Sequence, residues 1–270
     1  MKILLVFLAF LGFASCSSLD VASMVLNGTG GKGSSEQKTS DGPAGPKTSQ
    51  GTPIDVSAVM QKYATVTTSD QTYPAGADLS VGASAFSRLR VGDWAVYRIL
   101  RNGTLSSVMK VAIVGKTGSA WIYEFVSYHG DSAGAMQMAV EGLDQAMKTG
   151  DTSQEKVLWM KSKDKNGKIT TIDGAMLGMM GGVTQNALNG NSFDSTAQIT
   201  SGGSLTVPAG TFTSTWKVAS NVTNGRSAEK GTAWISSVVP VWHVVKSVSD
   251  NGSTTMELVA FGTSGYVSEF

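Results

Sequence analysis

The stretch Gly92-Asp-Trp-Ala-Val-Tyr-Arg-Ile-Leu-Arg-Asn-Gly103 decides the fold class. Its side chains alternate with a period of two, which is the pattern of a β-strand whose two faces meet different surroundings. The alternation places Trp94, Val96 and Arg98 on one face and Ala95, Tyr97 and Ile99 on the other. The Asn-Gly pair that closes the stretch favours a tight hairpin, because both residues tolerate a positive φ. We therefore expect a strand followed directly by an antiparallel partner.

The same alternation recurs along much of the remaining chain and predicts a succession of strands. These strands cover residues 107–115, 119–128, 210–219, 227–236, 241–249 and 253–262. Further Asn-Gly pairs stand at 166–167, 224–225 and 251–252. Because the connections are short, sequence neighbours should pair antiparallel. The expected fold class is mainly β (α+β), with a curved antiparallel sheet or an incomplete β-barrel and two or three helices.

Three stretches carry apolar residues at helical spacing and are candidate helices, namely residues 54–63, 132–148 and 173–188. The second of these has Met136, Val140, Leu143 and Met147 on one predicted face. Several glycines weaken the third, because Gly lowers the intrinsic helix propensity. We expect the two Met-rich helices to cap the curved sheet.

The N-terminus has the features of a secretory signal. One positive charge at Lys2 precedes an apolar run over residues 3–13, which is too short to span a bilayer and has the length of a signal core. Two small residues then precede Cys16, the single cysteine of the chain, and this order resembles the lipobox of bacterial lipoproteins. The resemblance implies cleavage after residue 15, acylation of Cys16 by chains such as palmitate and, because Ser17 follows, sorting to the outer membrane. The alternative is an ordinary cleaved signal that leaves Cys16 as a thiol.

Composition divides the mature chain into a tether and a domain. Residues 27–53 are dominated by Gly, Ser, Thr, Lys and Pro, which predicts a flexible linker, so residues 16–53 are assigned to the lipidated N-terminus and this linker. Residues 54–270 are long enough for a single β-rich domain with a sizeable core. The 21 basic and 20 acidic residues nearly balance and form no basic block, so nucleic acid is not an expected partner.

Residues 130–134 match the sequence pattern of a serine-hydrolase motif. Gly130-Asp-Ser-Ala-Gly134 matches the Gly-x-Ser-x-Gly nucleophile elbow, between an expected strand and an expected helix. Catalysis by Ser132 also needs a histidine and an acid, for which His243 and Asp194 are the candidates. The stretch from 150 onwards has the pattern of hairpins and not of alternating strands and crossover helices, which favours a Gly-rich turn over a catalytic serine.

A second motif resembles a calcium loop. Residues 162–173 align with the twelve-residue EF-hand loop, including Gly167 at the sharp turn. Ser162 and Asp173 stand where the EF-hand has Asp and a bidentate Glu, so few carboxylates remain for a cation. A β-hairpin that turns near Gly167 explains the same residues, and we expect no metal here.

Tryptophan and methionine form the third signal, which is a distribution and not a motif. Unbranched, polarizable Met suits surfaces that accept varied apolar shapes. The candidate ligand-binding residues are Trp94, Trp121, Met136, Met176, Met179, Met180, Trp216 and Trp234. The alternative is that these side chains are ordinary core.

Several segments in order resemble a loose group of bacterial periplasmic proteins and lipoproteins with the architecture of the carriers LolA and LolB. The segments are Gly92-Asp-Trp-Ala-Val-Tyr97, Val207-Pro-Ala-Gly-Thr-Phe212, Ala233-Trp-Ile-Ser-Ser-Val-Val-Pro240 and Val244-Val-Lys246. The resemblance spans residues 90–262 and implies an incomplete antiparallel barrel wrapped over helices, with an apolar cavity for acyl chains. No carrier residue is transferred by it.

The sequence thus predicts a non-enzymatic, membrane-anchored lipoprotein of the cell envelope, in the outer membrane and facing the periplasm or the cell surface. Its expected partners are the membrane, through the lipid on Cys16, and an apolar ligand (acyl chain, lipid or lipoprotein) in a half-barrel cavity. No cofactor is expected. Two alternatives remain open: a structural or interaction lipoprotein with a packed interior, and a serine esterase that uses Ser132.

Overall fold

The structure, a computed structural model, describes residues 46–76, 88–149, 154–174, 177, 191–193, 199–224 and 227–270. The signal sequence, Cys16 and most of the proposed linker lie outside these ranges. So do Met176, Met179 and Met180, together with most of the helix expected over residues 173–188. None of the helices within the described ranges has the length and apolar content needed to cross a bilayer.

Within these ranges, fourteen strands belong to one sheet. The first eight are β1 (Lys47–Gln50), β2 (Thr72–Tyr73), β3 (Trp94–Arg101), β4 (Thr104–Thr117), β5 (Ala120–His129), β6 (Ser132–Glu141), β7 (Lys156–Asp164) and β8 (Lys168–Asp173). The other six are β9 (Asn191–Phe193), β10 (Ile199–Val207), β11 (Gly210–Asn224), β12 (Ser227–Ile235), β13 (Val244–Ser249) and β14 (Thr254–Gly262). Two helices accompany them, α1 (Val56–Ala64) and α2 (Leu143–Thr149).

The strands follow one path through the sheet, β1-β8-β7-β6-β5-β4-β3-β14-β13-β12-β11-β10, and neighbours along it pair antiparallel. β2 adds a short parallel pair to β11, and β9 an antiparallel one. The path has two ends, β1 and β10, so the sheet is open. The mainly β expectation is therefore confirmed.

Turn chemistry explains why consecutive strands pair. Asn102 and Gly103 between β3 and β4 have φ of 50° and 80°, a combination that the Asn-Gly pair adopts at little cost. The turn between β7 and β8 ends at Gly167, with φ of 85°, where the Gly51 carbonyl approaches so closely that a side chain would collide with it. The hairpins expected at both Asn-Gly pairs are confirmed.

The two faces of the sheet bury different clusters. The core face carries the larger one, to which β3 contributes Ala95, Tyr97 and Ile99. The segment between β12 and β13 adds Val239, Val241 and Trp242 to the same cluster. The opposite side, here called the helix face, buries side chains of β3 to β6 such as Val96, Val108, Val126, Tyr128 and Ala135 against Val56 and Tyr63 of α1.

The helix expected over residues 132–148 is wrong for most of its length. Residues Ser132–Glu141 form strand β6 between β5 and β7, and only Leu143–Thr149 are helical. Met136 and Val140 are four residues apart, a spacing that fits a helix face and also one side of a strand. Met138 between them faces the same core cluster. Pairing with a partner on both sides decides in favour of the strand, because tertiary context overrides local propensity.

Two other expectations near the N-terminus have different outcomes. The helix expected over residues 54–63 is confirmed as α1, which Asp55 caps by accepting a 3.1 Å hydrogen bond from the Ala58 amide. Residues Lys47–Gln50, which composition assigned to the flexible linker, form strand β1 against β8. Composition did not reveal β1 because its four side chains are exposed and the pairing uses main-chain groups.

Candidate functional site

Tyr97 lies at the centre of the core face. Its ring is fully buried and stacks on Trp242 at 5.6 Å between centroids and 24° between planes. Phe125 from β5 contacts the same Trp242 ring at 5.7 Å. Cross-strand neighbours of Tyr97 are Met109 on one side and Leu258 on the other. The site is therefore an aromatic layer lined by flexible and branched aliphatic side chains.

The Tyr97 hydroxyl has no hydrogen-bond partner, although its oxygen is buried. Burial raises the pKa of this phenol far above its ordinary value of 10.0. An unsatisfied buried donor costs about 1–3 kcal/mol, and such groups are rare in native proteins. The Tyr97 hydroxyl is thus a polar group without a hydrogen-bond partner within the apolar core cluster.

The backbone beside Trp242 is in an uncommon conformation. Val241 has φ of 65° and His243 has φ of 58°. A positive φ is an outlier for a β-branched residue and costs about 1–3 kcal/mol, and such strain clusters at functional sites. The two residues turn the chain so that Trp242 reaches the Tyr97 ring.

A second part of the core face lies around Trp121 and α2. The Trp121 indole donates a 2.9 Å hydrogen bond to Asp144 Oδ1, and Lys116 Nζ lies 4.1 Å from the centroid of the indole ring. Burial raises the pKa of the Glu155 carboxyl to about 7, and its Oε1 is buried without a hydrogen-bond partner. Burial, followed by the charges of Glu155 and Asp144, raises the pKa of the Tyr123 phenol. With its pKa at about 7, the Glu155 carboxyl can change its charge near neutral pH.

The sheet brings three of the sequence-predicted ligand residues to the core face. Trp121 belongs to the core cluster, and Met136 and Trp216 pack against it. Trp94 lies on the helix face, where its indole donates a 2.8 Å hydrogen bond to the Ser264 carbonyl. Trp234 alternates with the core residues on either side of it and pairs with Lys217, whose ammonium is 5.7 Å from the ring centroid. One side of the sheet therefore cannot collect all five.

Sequence reasoning missed Tyr97, Trp242 and Glu155. Alternation along β3 placed Tyr97 on the face opposite Trp94, so preferring the tyrosine face to the tryptophan face would have found it. The position of Trp242 depends on the turn that precedes β13, and residue spacing gives no sign of it. No motif or spacing in the sequence distinguishes Glu155 from the other acidic residues.

Ser132 does not have the surroundings of a nucleophile elbow. It is the first residue of β6 and pairs with His129, the last residue of β5, across a hairpin turn. The elbow needs a strand followed by a helix, so the predicted local context is wrong. His243 precedes β13, which four strands separate from β6 along the sheet. The His129 side chain is exposed at the tip of the hairpin, where water has free access.

The EF-hand-like stretch is a β-hairpin, as favoured from the sequence. Asp164 Oδ1 accepts hydrogen bonds from the amides of Asn166, at 2.9 Å, and Lys168, at 3.0 Å. This carboxylate therefore stabilises the turn between β7 and β8. No cluster of three or more His, Cys, Asp or Glu side chains suited to a metal ion occurs in the described part of the chain.

No model of a protein family matches the chain, and neither does any curated protein sequence. Several solved structures align with parts of it. A candidate lipoprotein of Parabacteroides distasonis is 16% identical, with 64% of this chain and 96% of that chain covered and a TM-score of 0.33. A candidate exported protein of Bacteroides fragilis with a YmcC-like fold is 11% identical over the same shares, with a TM-score of 0.28.

The Pseudomonas aeruginosa complex of MucA and MucB also aligns, with 13% identity and a TM-score of 0.33. The alignment covers 69% of this chain and 56% of that chain. TM-scores of this size do not establish a common fold, and we draw no functional argument from them.

Proposed function

We propose that this protein is a non-enzymatic lipoprotein of the cell envelope, anchored in the outer membrane through acylated Cys16. Its single β-rich domain, residues 54–270 together with strand β1, binds an apolar molecule with one polar group, such as an acyl chain, against the core face of the open sheet. The partners are thus a membrane and a lipid-like ligand. Chemistry at Ser132 has no part in this function.

The observation that carries the ligand proposal is the buried Tyr97 hydroxyl without a partner. A purely structural core would gain from phenylalanine at this position, which fills the same space without an unsatisfied donor. A ligand carboxyl or hydroxyl beside Tyr97 gives the hydroxyl its hydrogen bond. We place the apolar remainder of such a ligand beside Met109, Phe125 and Trp242, which are neighbours of Tyr97 or of the ring that stacks on it.

The strained turn and the methionines support the same proposal. The strained backbone at Val241 lowers stability, and it positions the Trp242 ring so that it stacks on Tyr97. Met109, Met136 and Met138 on the core face are side chains that adapt to ligands of varied shape. An acyl chain of variable length is a ligand of that kind.

A fluorescent fatty acid tests the ligand proposal on the purified protein. We expect saturable uptake of dansyl-labelled undecanoic acid and copurified lipid in native mass spectra. Tyr97→Phe should weaken binding about ten-fold, the effect of one hydrogen bond of about 1.4 kcal/mol. Tyr128→Phe removes a hydroxyl from an equally buried tyrosine on the helix face and should leave uptake unchanged. Absence of both uptake and copurified lipid contradicts the proposal, as does equal binding by the two variants.

Growth with radiolabelled palmitate tests the anchor. Because Cys16 is the single cysteine, label on the protein reports on that position. Cys16→Ala should abolish labelling and leave the precursor uncleaved, whereas Ser17→Ala should keep both. Label that survives Cys16→Ala contradicts the anchor without bearing on the ligand.

A further inference from the structure

Residues 266–270 lie on the helix face and contact a fully buried carboxylate. Glu124 of β5 accepts hydrogen bonds from the Tyr266 hydroxyl at 2.9 Å, the Ser268 hydroxyl at 2.5 Å and the Glu269 amide at 2.9 Å. The neighbouring strand supplies one further donor, the Gln137 amide at 2.7 Å. Residues 266–270, here called the tail, thus supply three of the four described hydrogen-bond donors to Glu124.

The sheet also recognises the fourth position of the tail. The Glu269 carboxylate accepts a 3.0 Å hydrogen bond from the Tyr128 hydroxyl and lies 3.6 Å from Lys110 Nζ. Lys163 donates to the Glu269 carbonyl. Val126 and Ala135 lie between these two lysines on adjacent strands, in register with them. Their short side chains leave room above the sheet for the tail. The floor of the site is therefore apolar and its rim is charged.

Side chains hold the tail in the manner of a bound peptide. None of residues 263–270 belongs to a strand. Residues 263–265 are exposed, and Val267 is 81% exposed between the two hydroxyl-bearing positions. In the tail, the Glu269 amide and carbonyl and the hydroxyls of Tyr266 and Ser268 make contacts with the sheet, and pockets for alternate side chains are what give specificity in extended peptide recognition. The link to β14 therefore permits the tail to leave without unpairing a strand.

The donors to Glu124 come mainly from the tail. Of the described donors to Glu124, only Gln137 belongs to the sheet, so departure of the tail uncovers the carboxylate and leaves water to replace three of its four described donors. Preorganised donors bind a charged carboxylate better than water does, so a segment that supplies them again is favoured at this position. Lys110 would at the same time lose its contact with the Glu269 carboxylate, and Lys163 its hydrogen bond to the Glu269 carbonyl. A second peptide of the same chemistry restores the contacts of Glu124 and of both lysines.

We propose that the Glu124 site is a peptide-binding site that the tail occupies in cis, and that a partner protein enters it with an extended acidic segment. The segment carries hydroxyl donors at its first and third positions and a carboxylate at its fourth, and its second side chain faces the solvent. The charges match, since the carboxylate at the fourth position meets Lys110, as Glu269 does in the tail. The site lies on the face opposite Tyr97, so this proposal goes beyond the ligand function and does not depend on it.

The tail competes with any such segment at an effective concentration of about 1 mM, the usual range for a short link. The probe is the fluorescein-labelled peptide Gly-Tyr-Val-Ser-Glu-Phe, and a scrambled peptide of the same composition is the control. Protein that lacks residues 266–270 should bind the probe saturably, and the full chain at least about ten-fold more weakly. Glu124→Gln in the shortened protein should reduce binding at least about ten-fold, the effect of losing charge-assisted hydrogen bonds.

A second variant keeps the test decisive if the shortened protein fails to fold. The double substitution Tyr266→Phe and Ser268→Ala removes two donors to Glu124 and leaves the rest of the tail in place. This loosened protein should bind the probe more tightly than the full chain does. The proposal is overturned if a folded shortened protein ignores the probe, if the scrambled peptide binds equally well, or if the loosened protein shows no gain.

Discussion

Glu124 and Gln137 face each other across β5 and β6, and the Gln137 amide donates a 2.7 Å hydrogen bond to the buried Glu124 carboxylate. The pair is the part of the tail site that belongs to the sheet itself. Its contribution can be measured without touching the tail.

Gln137→Met should lower the free energy of unfolding by about 1.5–3 kcal/mol. Methionine keeps the length and unbranched shape of glutamine, so the loss reports on a hydrogen bond to a charged group and not on a cavity. Urea unfolding of the purified protein measures it. Gln71→Met, at an exposed position, is the matched control and should change stability by less than about 0.5 kcal/mol. Equal effects at the two positions would contradict the role given to Gln137.

Tyr97→Phe and Tyr128→Phe should change the stability of ligand-free protein in opposite directions. At Tyr97 the substitution removes a buried hydroxyl without a partner, so the free energy of unfolding should rise by about 1 kcal/mol. At Tyr128 it removes a hydrogen bond to the Glu269 carboxylate and should lower stability by about 1.5–3 kcal/mol. Thermal and urea unfolding after delipidation give the comparison. A destabilising Tyr97→Phe would mean that the hydroxyl has a partner within the protein.

Glu257 should stabilise the protein at neutral pH and cease to do so in acid. Burial alone would raise the pKa of this carboxyl, but hydrogen bonds from Arg98 and Lys246 outweigh burial and bring the pKa below its ordinary value of 4.5. A lowered pKa in the folded state gives stability that is full above about pH 4.5 and is lost as the pH falls through the lower folded value. Glu257→Gln should therefore unfold more easily than the natural protein at pH 7, with the difference shrinking towards pH 3. A difference that is constant with pH would exclude the ion pairs as its cause.

Glu155 should show the reverse dependence. Burial raises its pKa to about 7, so the folded protein holds a proton that the unfolded chain releases above about pH 4.5. Stability is then full below pH 4.5 and falls as the pH rises through 7. Glu155→Gln should be more stable than the natural protein by about 1–2 kcal/mol at pH 8, a value reduced for the partial exposure of the carboxyl, and equal to it at pH 4. Unfolding curves at the two pH values decide, and a variant that gains nothing at pH 8 would contradict the raised pKa.

Local rules predicted the strands and the hairpins but not the contacts between distant parts of the chain. The alternation of side chains predicted β3, and the Asn-Gly pair predicted the turn that follows it. Both signals are properties of adjacent residues. The helix expected over residues 132–148 failed because one spacing of Met and Val satisfies two periods, and only the strands on either side distinguish them. The contacts of residues 266–270 have no signal in the local sequence, since the carboxylate that binds them comes from Glu124, more than a hundred residues earlier.

The candidate site was predictable to the same limited extent. Sequence analysis selected large apolar residues, and the sheet placed Trp121, Met136 and Trp216 on the core face as a set. Face assignment across strands depends on register, and bulges such as the one between Trp234 and Ile235 shift it without a sign in the sequence. Alternation within β3 gives the face of Trp94 relative to Tyr97, but the face of Trp234 relative to both depends on this register.

The pairing of β3 with β14 has a consequence for how the chain folds. Strands β3 to β8 form one meander of sequence neighbours and β10 to β14 form another, so each can assemble from local contacts. The seam between the two meanders joins distant residues, and closing so long a loop is slow because its entropy must be lost before the contacts form. Tyr97 and Trp242 lie on opposite sides of that seam. We therefore expect the aromatic layer to be complete only in the last step of folding, so that an incompletely folded chain has no ligand site.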